Sequence, residues 1–147
     1  MNTSSFEYVT YIATTPEKLW KALVDPKITK KYWQHENISD WQPGSRWEHR
    51  SSKSDAALDL VGNVIESSRP RRLVLSWAFP GDEAHEEKNS RVTFELEPFR
   101  GIVRLAVTHE HLEPGSEMLA GIIEGWPKVL ASLKSLMEKG RPLPELW

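Results

Sequence analysis

Hydrophobic positions change their period along the chain, and the changes outline its elements. Phe6 to Ile12 is rich in Tyr, Val, Thr and Ile, which predicts a strand with Tyr8, Thr10 and Ile12 on one face. The period then lengthens. Leu19, Trp20, Leu23 and Val24 recur at helical spacing behind a Thr15 cap and Pro16, and Asp25-Pro26 stops the run. A second short helix is expected over 27–33, with Ile28, Tyr32 and Trp33 as its apolar edge, and a turn at Pro43-Gly44. From Arg46 to His111 the period falls to two, which predicts four or five antiparallel strands. These cover 46–50, 58–66, the Leu73, Leu75, Trp77 and Phe79 run, the Val92, Phe94 and Leu96 run, and the Val103, Leu105 and Val107 run. The acidic stretch Gly81 to Asn89 reads as a solvated hairpin loop. Pro114-Gly115-Ser116 then supplies a cap. Beyond it Leu119, Ile122, Trp126, Val129, Leu130, Leu133, Leu136 and Met137 trace a long helix to Gly140. Pro127, with Gly121 and Gly125 close by, predicts a bend or a loosened turn near Trp126.

This order of elements is α+β: one curved antiparallel sheet whose dry face is covered by the long C-terminal helix, with two short helices after the first strand. A long helix cannot fill a curved sheet everywhere, so an apolar cavity of roughly 300–1,000 Å³ is expected between them. Its predicted walls are Val103, Leu105, Val107 and His109 on one strand, Val92, Phe94 and Leu96 on the next, and Leu75 and Trp77 beyond. Met118, Ile122 and Trp126 on the helix complete it, with His109 as the sparse polar contact.

The chain of 147 residues suits one domain over 1–147, and 39% hydrophobic with 27% charged residues excludes disorder and fibrous repeats. With 19 Lys+Arg against 21 Asp+Glu there is no basic field for nucleic acid. No stretch reaches the roughly 20 apolar residues of a membrane span, and no secretory leader is evident, so a cytoplasmic protein is expected. The absence of Cys removes disulfides and thiolate chemistry. Seven tryptophans change the picture, because each carries a large apolar surface and an N–H that wants a partner. Trp20, Trp77 and Trp126 have apolar neighbours in phase. Trp33, Trp41 and Trp47 are less explained by periodicity and cluster where a cavity mouth would lie.

Few signatures of chemistry are present. His109 and His111 are two apart on a strand, and His49, in phase with Trp47, is a conceivable third metal ligand. Strand ends bulge, however, and one inward histidine is commonly a hydrogen-bonded core group, so no metal or other cofactor is expected. His109 and Glu66, the latter in phase with Val64, are the candidates for acid–base work. No GxSxG elbow, GxGxxG turn, Walker loop or HExxH helix occurs, and binding rather than catalysis is the expectation. The Arg69-Pro70-Arg71-Arg72 cluster reads as a solvated corner. Leu143, Leu146 and Trp147 are too apolar to stay in water and are expected to dock on the body or on a second copy.

Five segments together resemble a known family: IATTPEKLWKALVDPKITKKYW at 12–33, WQPGSRW at 41–47, GNVIESSRPRRLVLSW at 62–77, VTFELEPFRGIVRLAVTH at 92–109 and EGWPKVLASLKSLMEKG at 124–140. The chain resembles the helix-grip, START-like (SRPBCC) superfamily, in the branch named for the activator of heat-shock-protein-90 ATPase. The resemblance implies a curved antiparallel sheet wrapped around a long C-terminal helix, with a ligand cavity between. In that branch co-chaperone action belongs to longer proteins with an extra N-terminal client-binding domain, so a chaperone partner is not expected here. The expected partner is a small hydrophobic or aromatic molecule, with a homodimer compatible. A cyclase- or aromatase-like enzyme using the same cavity and a protein-interaction module are the rival readings.

Overall fold

Local chemistry sets the early helices. Thr15 caps the first, its hydroxyl accepting the Lys18 amide at 3.2 Å with Pro16 at the first position. Asp25 then ends one helix and begins the next, its amide bonding Lys21 O at 2.9 Å while its carboxylate accepts the Lys27 amide at 2.9 Å. The computed structural model describes residues 3–53 and 55–144. In chain order these form β1 (Ser4–Ile12), α1 (Pro16–Val24), α2 (Pro26–Trp33), β2 (His35–Ile38), β3 (Arg46–Ser51), β4 (Leu58–Ser68), β5 (Arg72–Trp77), β6 (Ser90–Phe99), β7 (Ile102–Leu112) and α3 (Glu117–Lys139).

The strands make one open, curved antiparallel sheet in the order β1-β7-β6-β5-β4-β3-β2. Each strand neighbours the next in sequence except β1, which pairs with β7, while α1 and α2 carry the chain from one sheet edge to the other. β2 was not predicted. Its four residues, His-Glu-Asn-Ile, hold a single large apolar side chain and so show no alternation. The loop at 81–89 contains only a short 3-10 turn, Glu86–Lys88.

Helix α3 lies across the concave face, capped by Ser116 Oγ on the Leu119 amide and closed by Gly140 at φ 78°. It runs unbroken through Pro127. Its second half is fastened to the end of β1. The Glu138 carboxylate accepts the Ala13 amide at 2.8 Å, and Lys134 Nζ donates both to Tyr11 O and to Glu138. Beneath that half, Leu130 and Leu133 join Ile12, Leu19, Leu96, Val103 and Leu105 in a dry core. Beyond the helix, the Leu143 amide bonds Ser132 Oγ at 3.3 Å. Leu146 and Trp147 lie outside the described residues.

Candidate functional site

The first half of α3 stands off from the sheet. Between it, the end of α2 and strands β3 to β5 opens a cleft of about 270 Å³. Its inner wall is aromatic: Trp33, Trp77 and Trp126 surround one another, with ring centres 5.4 to 6.3 Å apart. Met118, Ile122 and Val129 supply apolar wall from α3, and Leu60 and Phe79 from the sheet side. Gly121 and Gly125, one helical turn apart, border the gap. A Cβ at either position would meet nothing within 4 Å. Each interior helical glycine costs roughly 0.5–1 kcal/mol relative to alanine, and here neither a close protein contact nor a positive φ demands it. Gly121 is exposed and Gly125 half-buried, so the two stand at the mouth of the cleft.

Polar groups gather at one side of the cleft. The His35 and His49 rings stack 4.1 Å apart at an interplanar angle of 4°. His35 is held at both nitrogens, Nδ1 by Trp33 O at 3.0 Å and Nε2 by the Asp59 carboxylate at 2.8 Å. His49 Nδ1 faces Asn37 Oδ1, a carbonyl-type acceptor, and therefore carries the proton. Its Nε2 is left as a lone-pair acceptor. Burial, reinforced by the neighbouring His35, drives the His49 pKa well below the usual histidine value, so this ring is neutral near pH 7. Glu117 at the start of α3 adds an exposed carboxylate to the rim.

His109 points inward from β7 and is fully buried, and both its nitrogens are used by the protein. Trp126 Nε1 donates to His109 Nδ1 at 3.1 Å, which fixes the proton on Nε2. That proton goes to Ser90 Oγ at 2.8 Å, whose own hydroxyl donates to Trp77 O at 3.0 Å. Burial lowers its pKa to about 3. His109 is a strut that sets the angle of Trp126, with no lone pair or proton left for a ligand.

Of the residues expected from sequence, Trp33, Trp77, Met118, Ile122 and Trp126 meet in the cleft. Leu75, Val92, Phe94, Leu96, Val103, Leu105 and Val107 do not line it, because they are buried in the packed core of the same sheet face. Trp47 is also fully buried, its Nε1 donating to Ser76 O at 2.8 Å. Only glycine fits at 62 beside it, since a Cβ there would fall 1.9 Å from Ser76 O. Trp41 packs half-buried on the core outside the cleft. Glu66 is not carried inward with Val64. A bulge shifts the register between Val64 and Glu66, and the carboxylate pairs instead with Arg72 Nε at 3.2 Å. A second bulge places His111 at φ 60° with its side chain exposed, out of phase with His109. Among the described residues no three His, Asp or Glu side chains are grouped to hold a metal. The Arg69–Arg72 corner is tied by Arg69 to Glu17 and by Arg72 to Glu66 and Glu95. Sequence reasoning missed His35 and Asp59, which meet only because β2 exists.

The family described as Activator of Hsp90 ATPase homolog 1-like protein matches residues 13–138. The chain belongs to this family. Solved structures with the same fold include the Aha1 dimer from Colwellia psychrerythraea, at 20% identity and TM-score 0.76, covering 93% of this chain and 98% of that one. Another is PFC0360w, an HSP90 activator from Plasmodium falciparum, at 21% identity and TM-score 0.74, covering 94% and 97%. CalU16 from Micromonospora echinospora is similar at 22% identity and TM-score 0.66, covering 86% and 71%. At these identities the likeness establishes the fold. No curated protein matches the chain. Among the described residues no helix is long and apolar enough to cross a membrane.

Proposed function

We propose that this protein binds a small planar aromatic molecule in the cleft under the first half of α3. The observation that carries the reading is an aromatic wall of Trp33, Trp77 and Trp126 facing two helical glycines that leave room nothing in the chain fills. A slot walled by tryptophan favours flat ligands, because offset stacking and edge-to-face contact add to the burial of apolar area. Trp33, Trp77, Met118, Ile122 and Trp126 are the contact residues in this reading. The apolar residues of β6 and β7 serve the core that holds them.

Gly121→Phe tests it. The new side chain starts in open space, so the fold should keep or slightly raise its melting temperature while the cleft fills. Fluorescence enhancement of anilinonaphthalene sulfonate, titrated against wild type and variant, should show at least about a tenfold loss of affinity in the variant. Equal binding of the dye by both proteins would overturn the assignment of the cleft.

A further inference from the structure

The cleft does not end at its mouth. Phe79, Glu117 and Met118 also line a second groove of about 200 Å³, so the two spaces meet at these side chains. Carboxylates dominate the outer one. Asp82, Glu87, Glu113 and Glu117 border it, and its basic side chains are His111 and Lys88, the latter 3.8 Å from Asp82. In the inner cleft the carboxylates are Glu117 and Asp59, which is spent on His35, and neither Lys nor Arg lines the wall. Glu113 and Glu117 are exposed, and among the described residues neither is in an ion pair. The amino end of α3 brings the positive end of its dipole here, equal to roughly half a charge, and Glu117 in its first turn offsets it. One acceptor also stands open inside the cleft. His49 is 3% exposed, its Nδ1 proton is committed to Asn37, and its Nε2 has no protein partner. Among the described residues the partnerless polar atoms sealed from any opening are Ser52 Oγ and Trp77 Nε1, so the little surface that His49 keeps includes Nε2, on the cleft side.

An apolar aromatic slot that opens into an electronegative groove is complementary to a molecule with a flat ring at one end and a positive charge at the other. We infer that the ligand is an aromatic amine, its ring held against Trp33, Trp77 and Trp126 and its ammonium group lying in the outer groove beside Glu113 and Glu117. The inference rests on the cleft reading above and adds the ligand's charge. A single exposed ion pair contributes little, but several charges of one sign along a concave wall reinforce one another and raise the local concentration of the opposite ion. Phe79, 36% exposed where the two spaces meet, presents an aromatic ring to the passing ammonium. In the open groove that group keeps much of its water, so no charge has to be buried. Deeper in, a neutral His49 adds a lone pair and sets no positive charge against the ligand.

Three probes with one ring and different charge test it: naphthylethylamine, naphthylethanol and naphthylacetate, a cation, a neutral molecule and an anion at pH 7. Each is titrated calorimetrically into wild type, Gly121→Phe and the double variant Glu113→Gln/Glu117→Gln, which keeps size and removes charge. The neutral alcohol reports on the slot alone. Wild type is expected to bind the amine about fivefold or more tighter than the alcohol, and the acetate weakest of the three. The double variant should bring amine and acetate to within about twofold of each other and leave the alcohol unchanged. Binding of the alcohol with no preference for the amine would overturn the charge assignment and leave the aromatic cleft standing, whereas failure of all three to bind would overturn both. Amine binding to Gly121→Phe as tight as to wild type would place it outside the cleft and overturn the inference. So would a preference for the amine that survives intact in the double variant. Should that variant not fold, about 0.5 M salt added to wild type replaces it, since screening must shrink the preference for the amine if the carboxylates cause it, and an undiminished preference would again overturn the inference.

Discussion

The two halves of α3 are built on opposite terms. From Val129 onward the helix is fastened: Leu130 and Leu133 are buried against the sheet, and Lys134 and Glu138 tie it to the end of β1. From Glu117 to Gly125 it is held away, with two glycines at the edge of a cleft beneath it. Trp126 sits at the join, braced from the sheet by His109. One continuous helix thus acts as an anchor at one end and a wall at the other. A cavity in a close-packed protein has to be kept open by specific residues, and here rigidity in one half permits openness in the other.

The sharpest way to break this contrast is to truncate a side chain in each half. Leu133→Ala removes a fully buried side chain from a filled core and should cost about 2–5 kcal/mol. Ile122→Ala removes one that already borders empty space, so its cost should fall clearly below that of Leu133→Ala in chemical denaturation. Equal losses would mean that the first half of the helix is packed as tightly as the second.

Acid should act on the same region through two buried histidines. His49 and His109 are neutral in the folded chain, and both take up protons on unfolding once the pH is below the ordinary histidine value of 6.5. Unfolding therefore consumes protons in acid. The stability these rings contribute is complete above about pH 6.5 and is lost as the pH falls, for His109 down to its folded value of about 3. The slope is up to about 1.4 kcal/mol per pH unit for each ring. Melting curves between pH 7 and pH 4 should show it, and His109→Gln should flatten the dependence. An unchanged slope in that variant would mean that His109 is not held neutral.

The smallest effect should fall on the open half alone. Gly125→Ala adds a methyl group in free space and should stabilise the helix by roughly 0.5–1 kcal/mol, measured as a rise in melting temperature, while narrowing the cleft and weakening dye binding. A destabilised variant would show that the glycine is required by packing after all.

How well the sequence announced these features depended on how much each relies on periodicity. The sheet from β3 to β7, both caps and the stripe of α3 were legible because alternation, Thr15, Asp25-Pro26 and Ser116 act locally. The membership of the cleft was legible for Trp33, Trp77, Met118, Ile122 and Trp126, which are apolar residues in phase on the inward faces of their elements. Its polar side was not. β2 has too few apolar residues to show a period, so nothing brought His35 to Asp59. The bulges at Ile65 and before His111 reset the phase that alternation assumes, which misplaced Glu66. The inward direction of His109 followed from its phase with Val107. That both its nitrogens would be spent on Trp126 and Ser90 did not, because hydrogen bonds between distant segments leave no mark on local pattern.

The pairing of β1 with β7 bears on how the molecule comes to exist. Ser4 lies opposite Leu112 and Ile12 opposite Val103, so the first strand to be made waits for the last. Contacts between such distant segments are slow to form, because most of the chain must be ordered before they bring any gain. Until β7 joins, β1 and β6 each present a bare edge of unpaired backbone groups to whatever is nearby. The hazard this architecture carries is therefore greatest during its own assembly, when two open edges in one chain invite sticking to a neighbouring copy.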